Sequence, residues 1–135
     1  CNTAAKHGQL GALQLLRSRQ PPAPWGTGTV KLACEKGHRD TAMWLFNHNC
    51  PLRCPMWTDT CAAAARHGHL AALQYLHTER IAMDELTPAA AARGGHADVL
   101  QWTFDVQCAV DESACEEAAR GGQVSALRYL KSMEV

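Results

Sequence analysis

Residues 60–76 read TCAAAARHGHLAALQYL. Small residues lead to Arg66 and His67, Gly68 interrupts, and Leu70, Leu73 and Leu76 return at helical spacing with Tyr75 beside them. The stretch predicts two short helices joined by a glycine turn. Thr60 is the expected N-cap of the first helix, which runs to about Arg66, and the second spans about Leu70–His77. Gly68 supplies the left-handed turn residue.

The same frame surrounds Gly8, Gly37, Gly95 and Gly122. Three and four places before each glycine stand Ala4-Ala5, Ala33-Cys34, Ala64-Ala65, Ala91-Ala92 and Ala118-Ala119. Seven places before it stand Cys1, Val30, Cys61, Pro88 and Cys115. One place after come Gln9, His38, His69, His96 and Gln123. Five places after come Leu13, Ala42, Leu73, Leu100 and Leu127, and seven after come Leu15, Trp44, Tyr75, Trp102 and Tyr129. Five matched frames make an internal repeat, the signature of a stacked array.

The glycines are 29, 31, 27 and 27 residues apart. A 27-residue unit explains this, with two residues inserted near Arg17–Pro22 and four near Cys50–Arg53. The units run over about 1–22, 23–53, 54–80, 81–107 and 108–135, all in one domain. Helices of seven or eight residues are marginal alone, so each pair needs its neighbours. The alanine pairs are expected to let first helices pack closely, and the leucine and aromatic columns to fill the space between layers.

Composition narrows the function classes. Thirteen basic and thirteen acidic residues balance among 135, which argues against a dedicated nucleic-acid or membrane-surface binder. No apolar run approaches the length of a membrane span. Seven cysteines are an odd number, and they fall on repeat positions. They read as small apolar side chains of a reducing, intracellular and cytoplasmic compartment. The chain opens on Cys1 with no secretory leader and is expected to be a piece of a longer protein.

The frame resembles the ankyrin repeat, through Thr87-Pro88, Ala91-Ala92, Gly95-His96 and Val99-Leu100. It is closer to a short ankyrin variant of protist and giant-virus families, whose Cys-Pro-Trp opening is echoed by Cys54-Pro55-Met56-Trp57 and by Ala23-Pro24-Trp25. The resemblance covers the whole chain. It implies an all-α, ankyrin-like solenoid of five stacked helix–turn–helix repeats, with the usual β-hairpin finger shortened to a loop. It also implies protein–protein recognition and a turn histidine whose ring bonds backbone at the helix junction.

Chemical constellations are few. His48, Cys50 and Cys54 lie close enough for zinc, but without a second ligand pair; neither a metal nor another cofactor is expected. Cys61 and His67 lack an orienting third group, and Gly94-Gly95 and Gly121-Gly122 are repeat turns rather than phosphate loops, so no enzyme is expected. Two places before each glycine stand Lys6, Glu35, Arg66, Arg93 and Arg120. Cations there suit helix C-termini, and three consecutive arginines can also form a ridge about 20 Å long. Lys6, Arg66, His67, Arg93 and Arg120 are therefore the expected contacts to a protein partner on the concave first-helix face. Nucleic-acid and membrane partners are not expected, and the chain is expected to be a monomer or part of a longer array. The alternative readings are a structural spacer or array fragment and, less so, a zinc or enzymatic site at Cys50/Cys54.

Overall fold

The computed structural model describes residues 1–26, 28–48, 50 and 57–133. Ten helices and no strand occupy them. They form five pairs: α1 Asn2–Lys6 with α2 Leu10–Ser18, α3 Thr29–Glu35 with α4 Arg39–Asn47, α5 Trp57–Arg66 with α6 Leu70–Thr78, α7 Leu86–Gly94 with α8 Ala97–Asp105, and α9 Glu112–Arg120 with α10 Val124–Ser132. No described helix is long and apolar enough to cross a membrane.

One turn is used five times. The glycine is left-handed in each, with φ between +64° and +76°. The next residue's N–H reaches back to the carbonyl four places before the glycine: Gln9 to Ala4, His38 to Ala33, His69 to Ala64, His96 to Ala91 and Gln123 to Ala118, all at 2.8–3.0 Å. This six-to-one bond closes the first helix, as a left-handed residue just past a helix end permits. The bonding residue's own carbonyl then starts the second helix.

The first helices pack in series, α1 on α3, α3 on α5, α5 on α7 and α7 on α9. Alanine makes this close approach possible. Ala5, Ala33, Cys34, Ala64, Ala65, Ala91, Ala92 and Ala118 are all fully buried. The second helices contribute the larger side chains. Leu13, Leu73 and Leu100, with Leu45, Leu76 and Leu130 one turn further on, are fully buried. Burying a leucine stabilises by roughly 1.5–3 kcal/mol, so this double column holds helices too short to persist alone.

Three expectations need correction. Thr60 is not an N-cap, because α5 already begins at Trp57. Thr60 lies within the helix, and its buried hydroxyl, like that of Thr87, has no hydrogen-bond partner. The capping device appears instead at α9, where the Asp111 carboxylate accepts from Ser113 N–H at 3.0 Å.

The aromatic column is not interior filling. Trp44, Trp102 and Tyr129 are half-buried and Leu15 is 68 % exposed; only Tyr75 is buried. These side chains staple successive second helices from the side. Phe46 meets Tyr75 at 5.4 Å, His77 meets Trp102 at 5.7 Å and Phe104 meets Tyr129 at 5.8 Å, each edge to face. Such pairs add about 0.5–1.5 kcal/mol beyond area burial.

The loop insertions also become concrete. Ile81 N–H bonds the Leu76 carbonyl and Cys108 N–H the Thr103 carbonyl, five residues back in each case. After α2 the equivalent bond runs from Ala23 to Leu16, seven residues back, so the two extra residues lie between them. After α4 it runs from Cys50 to Leu45. Cys50, which is buried, thus holds the position of Ile81 and Cys108, a place the repeat spacing had given to Cys54. Cys54 lies outside the described residues.

Candidate functional site

The residue two places before each glycine ends the first helix or, for Arg93, stands one place before its end, so its side chain leaves the packed row. Lys6, Arg66, Arg93 and Arg120 are exposed there, as is His67 next to Arg66, while Glu35 is half-buried. Glu35 is paired with Lys31 one helical turn back at 3.5 Å, which separates Lys6 from the three arginines electrostatically.

The arginines themselves are unequal. Glu117 on α9 lies between Arg93 and Arg120. It accepts from Arg93 across the helix row at 3.1 Å and forms a very short ion pair with Arg120. Those two cations hold the Glu117 carboxyl below the usual carboxylate range, with the Arg120 hydrogen bond as the largest cause. Arg120 also approaches Glu116 at 4.0 Å. The ridge expected from sequence is therefore partly neutralised at two of its three places. Glu117 was missed because its unit frame places it opposite Ala90 and Ala63, which carry no charge to pair with.

Between α5, α7 and α9 the surface forms a groove of about 220 Å³. Arg66 and Arg93 stand at its rim, Ala89, Ala90 and Leu86 supply apolar lining, and Ser113 and Glu117 close the far side. Leu86 is 46 % exposed. The groove exists because Ala89 and Ala90 are too small to fill the surface between neighbouring first helices.

The turn histidines occupy a different place. His38 Nε2–H donates to the Lys6 carbonyl at 3.2 Å, and His96 Nε2–H donates to the Arg66 carbonyl at 3.1 Å. His69 bonds the Glu35 carbonyl in the same manner. Each ring thus satisfies an orphan carbonyl at the end of the preceding unit's first helix. They tie units together and do not converge on a substrate position.

The remaining constellations resolve separately. His48 stacks on Trp44 with ring centroids 4.1 Å apart, and its Nδ1–H donates to the Trp44 carbonyl at 2.8 Å. Burial pushes the Cys50 thiol up to about 11. No group of three or more His, Cys, Asp or Glu side chains is placed to hold a metal among the described residues. Cys61 is fully buried on α5 and its thiol is pushed up to about 12, chiefly by desolvation. A thiol held protonated at neutral pH is a poor nucleophile, and exposed His67 lies just past the C-terminal end of that helix, six residues on. Known protein-family models do not match the chain, and neither do curated proteins.

Proposed function

We propose that the chain is a non-catalytic, ankyrin-type solenoid that binds a protein partner on its first-helix and turn face. The observation that carries this reading is the groove across α5, α7 and α9, with an alanine-lined floor, half-exposed Leu86 and Arg66 at its rim. Packing supports the concavity of that face. Small side chains separate the first helices, whereas leucines and aromatic rings separate the second helices, so the stack bends toward the first-helix side.

The groove suits a partner segment carrying an apolar side chain and a carboxylate. Arg66 is the leading cation, because Arg93 and Arg120 are engaged by Glu117. Arginine at such a rim recognises carboxylate with directional hydrogen bonds. Lys6 lies at the far end of the row and His67 flanks Arg66, so both are secondary contacts.

Affinity capture from the source cell tests the reading. The partner is retained by the wild type and by a control Lys131→Glu chain, and lost from an Arg66→Glu/Arg93→Glu chain. Equal retention by all three contradicts it.

A further inference from the structure

Arg93 on α7 reaches Glu117 on the next first helix, α9, at 3.1 Å. Arg93 stands two places before Gly95, and Glu117 five places before Gly122. One unit earlier the same two positions hold Arg66 and Ala90. The α5–α7 junction repeats the geometry of the α7–α9 junction. A Cβ placed on Gly94 would run into the Arg66 carbonyl oxygen, and one placed on Gly121 would run into the Arg93 carbonyl oxygen. A turn side chain covers both junctions, His96 over Gly68 and Gln123 over Gly95. The two junctions therefore differ in what answers the arginine, a carboxylate at one and a methyl group at the other.

Arg66 is thus an unanswered cation. It is exposed and forms no ion pair among the described residues. Ala90 is half-buried, and both residues line the groove of about 220 Å³ together with Leu86 and Ala89. Among the described junctions no other combines a free cation with room beside it. Leu32 holds the place opposite Lys6, and Glu35, opposite Ala63, is paired with Lys31. Glu117 at the far side of the groove repels little, because Arg93 and Arg120 offset its charge.

We propose that the groove holds a single Glu or Asp side chain of a protein partner, seated over Ala90 and paired with Arg66 as Glu117 pairs with Arg93. The partner's neighbouring apolar side chain lies against Leu86 and Ala89. This rests on the first-helix face being the binding face, and it states which chemistry that face selects. A second acid of the partner finds no free cation in the groove, since Arg93 and Arg120 already hold Glu117. One carboxylate beside an apolar residue is selected, rather than an acidic run. Guanidinium and carboxylate pair directionally, so the contact fixes the register of the bound segment.

Two measurements test it, and both must succeed. In the first, a random peptide library displayed on phage is selected on immobilised wild-type, Arg66→Gln and Lys131→Glu chains. Wild type and Lys131→Glu should enrich one Glu or Asp beside an apolar residue. Arg66→Gln should keep the apolar preference and lose the acidic one. Enrichment without an acidic residue, or the same enrichment on Arg66→Gln, overturns the proposal. In the second, Ala90→Glu puts the carboxylate in place covalently. Titrated by NMR, the introduced carboxyl should have a pKa below the ordinary value of about 4.3, and adding Arg66→Gln should return it to that value. Glu117, held low by Arg120 and Arg93, is the internal reference. The Ala90→Glu chain should also lose the selected peptides. An ordinary pKa at position 90 overturns the proposal. So does a chain that unfolds on gaining this side chain, since the site then has no room for a carboxylate. Loss of the captured partner from Arg66→Glu/Arg93→Glu, together with any of these failures, leaves the binding face standing and removes only the carboxylate site. Retention of the partner by that chain removes both.

Discussion

The ring of His96 lies over Gly68 of the preceding unit, and its Nε2–H donates to the Arg66 carbonyl two residues before that glycine, at 3.1 Å. One side chain thereby does two things. It covers the turn that ends α5, and it ties α7–α8 to α5–α6. The glycine is needed twice over, for its φ of +74° and for the space a Cβ would take from the ring.

The core column gives the first prediction. Leu73 is fully buried in the middle unit. Leu73→Ala should cost about 2–5 kcal/mol, measured by urea unfolding. Because each unit touches only its neighbours, the transition should also broaden or split as the two halves uncouple. An unchanged midpoint and slope would contradict the register.

A pH dependence follows from His69. Burial, then the neighbouring His67 charge, pushes its pKa below the usual 6.5, with smaller effects of the same sign from His38 and His96; the bond to the Glu35 carbonyl opposes them. The folded chain thus binds this proton less tightly than the unfolded chain. Stability should fall as pH drops below about 6.5 and level off once the folded value is passed. His69→Gln, which copies Gln9 and Gln123, should flatten that part of the stability profile between about pH 7.5 and about pH 5.5. A profile as steep as wild type would assign the dependence to other groups.

Thiol reactivity gives a third. Cys34 and Cys61 are fully buried, and desolvation pushes both up to about 12. Iodoacetamide at mildly alkaline pH should leave both unlabelled in the native chain while half-buried Cys115 reacts, as read by peptide mass mapping. In urea all three should react. Native labelling of Cys61 at the Cys115 rate would contradict the close packing of α5.

Much of this was legible in the residues around the five glycines. Gly8, Gly37, Gly68, Gly95 and Gly122 announce the turns through a backbone only glycine adopts freely, and the alanine pairs announce the close first-helix row. Thr60 misled because its position before an apolar run imitates a cap, while the helix had begun at Trp57. Trp44, Trp102 and Tyr129 were read as interior because large rings favour burial, yet of the rings in that column only Tyr75 is buried. Seven places after the glycine lies beside the core stripe, and the buried positions are five and eight places after. Glu117 stayed hidden because its pairing with Arg93 crosses between units, and a single helix's spacing carries no record of that. The histidines were read as turn residues, but their reach to the preceding unit depends on how units stack.

A double-mutant cycle at Gly68 and His96, by urea unfolding of the four chains, tests the stacking most directly. Gly68→Ala puts a Cβ 2.6 Å from His96 Nδ1 and strains a left-handed backbone, and His96→Ala removes the ring and its bond to Arg66. If each unit's turn ring sits on the glycine before it, the double variant is less destabilised than the sum of the singles, by about 0.5–3 kcal/mol. Additivity to within about 0.3–0.5 kcal/mol would mean that the two residues do not meet, and would contradict the stacked register on which the fold and the proposed binding face rest.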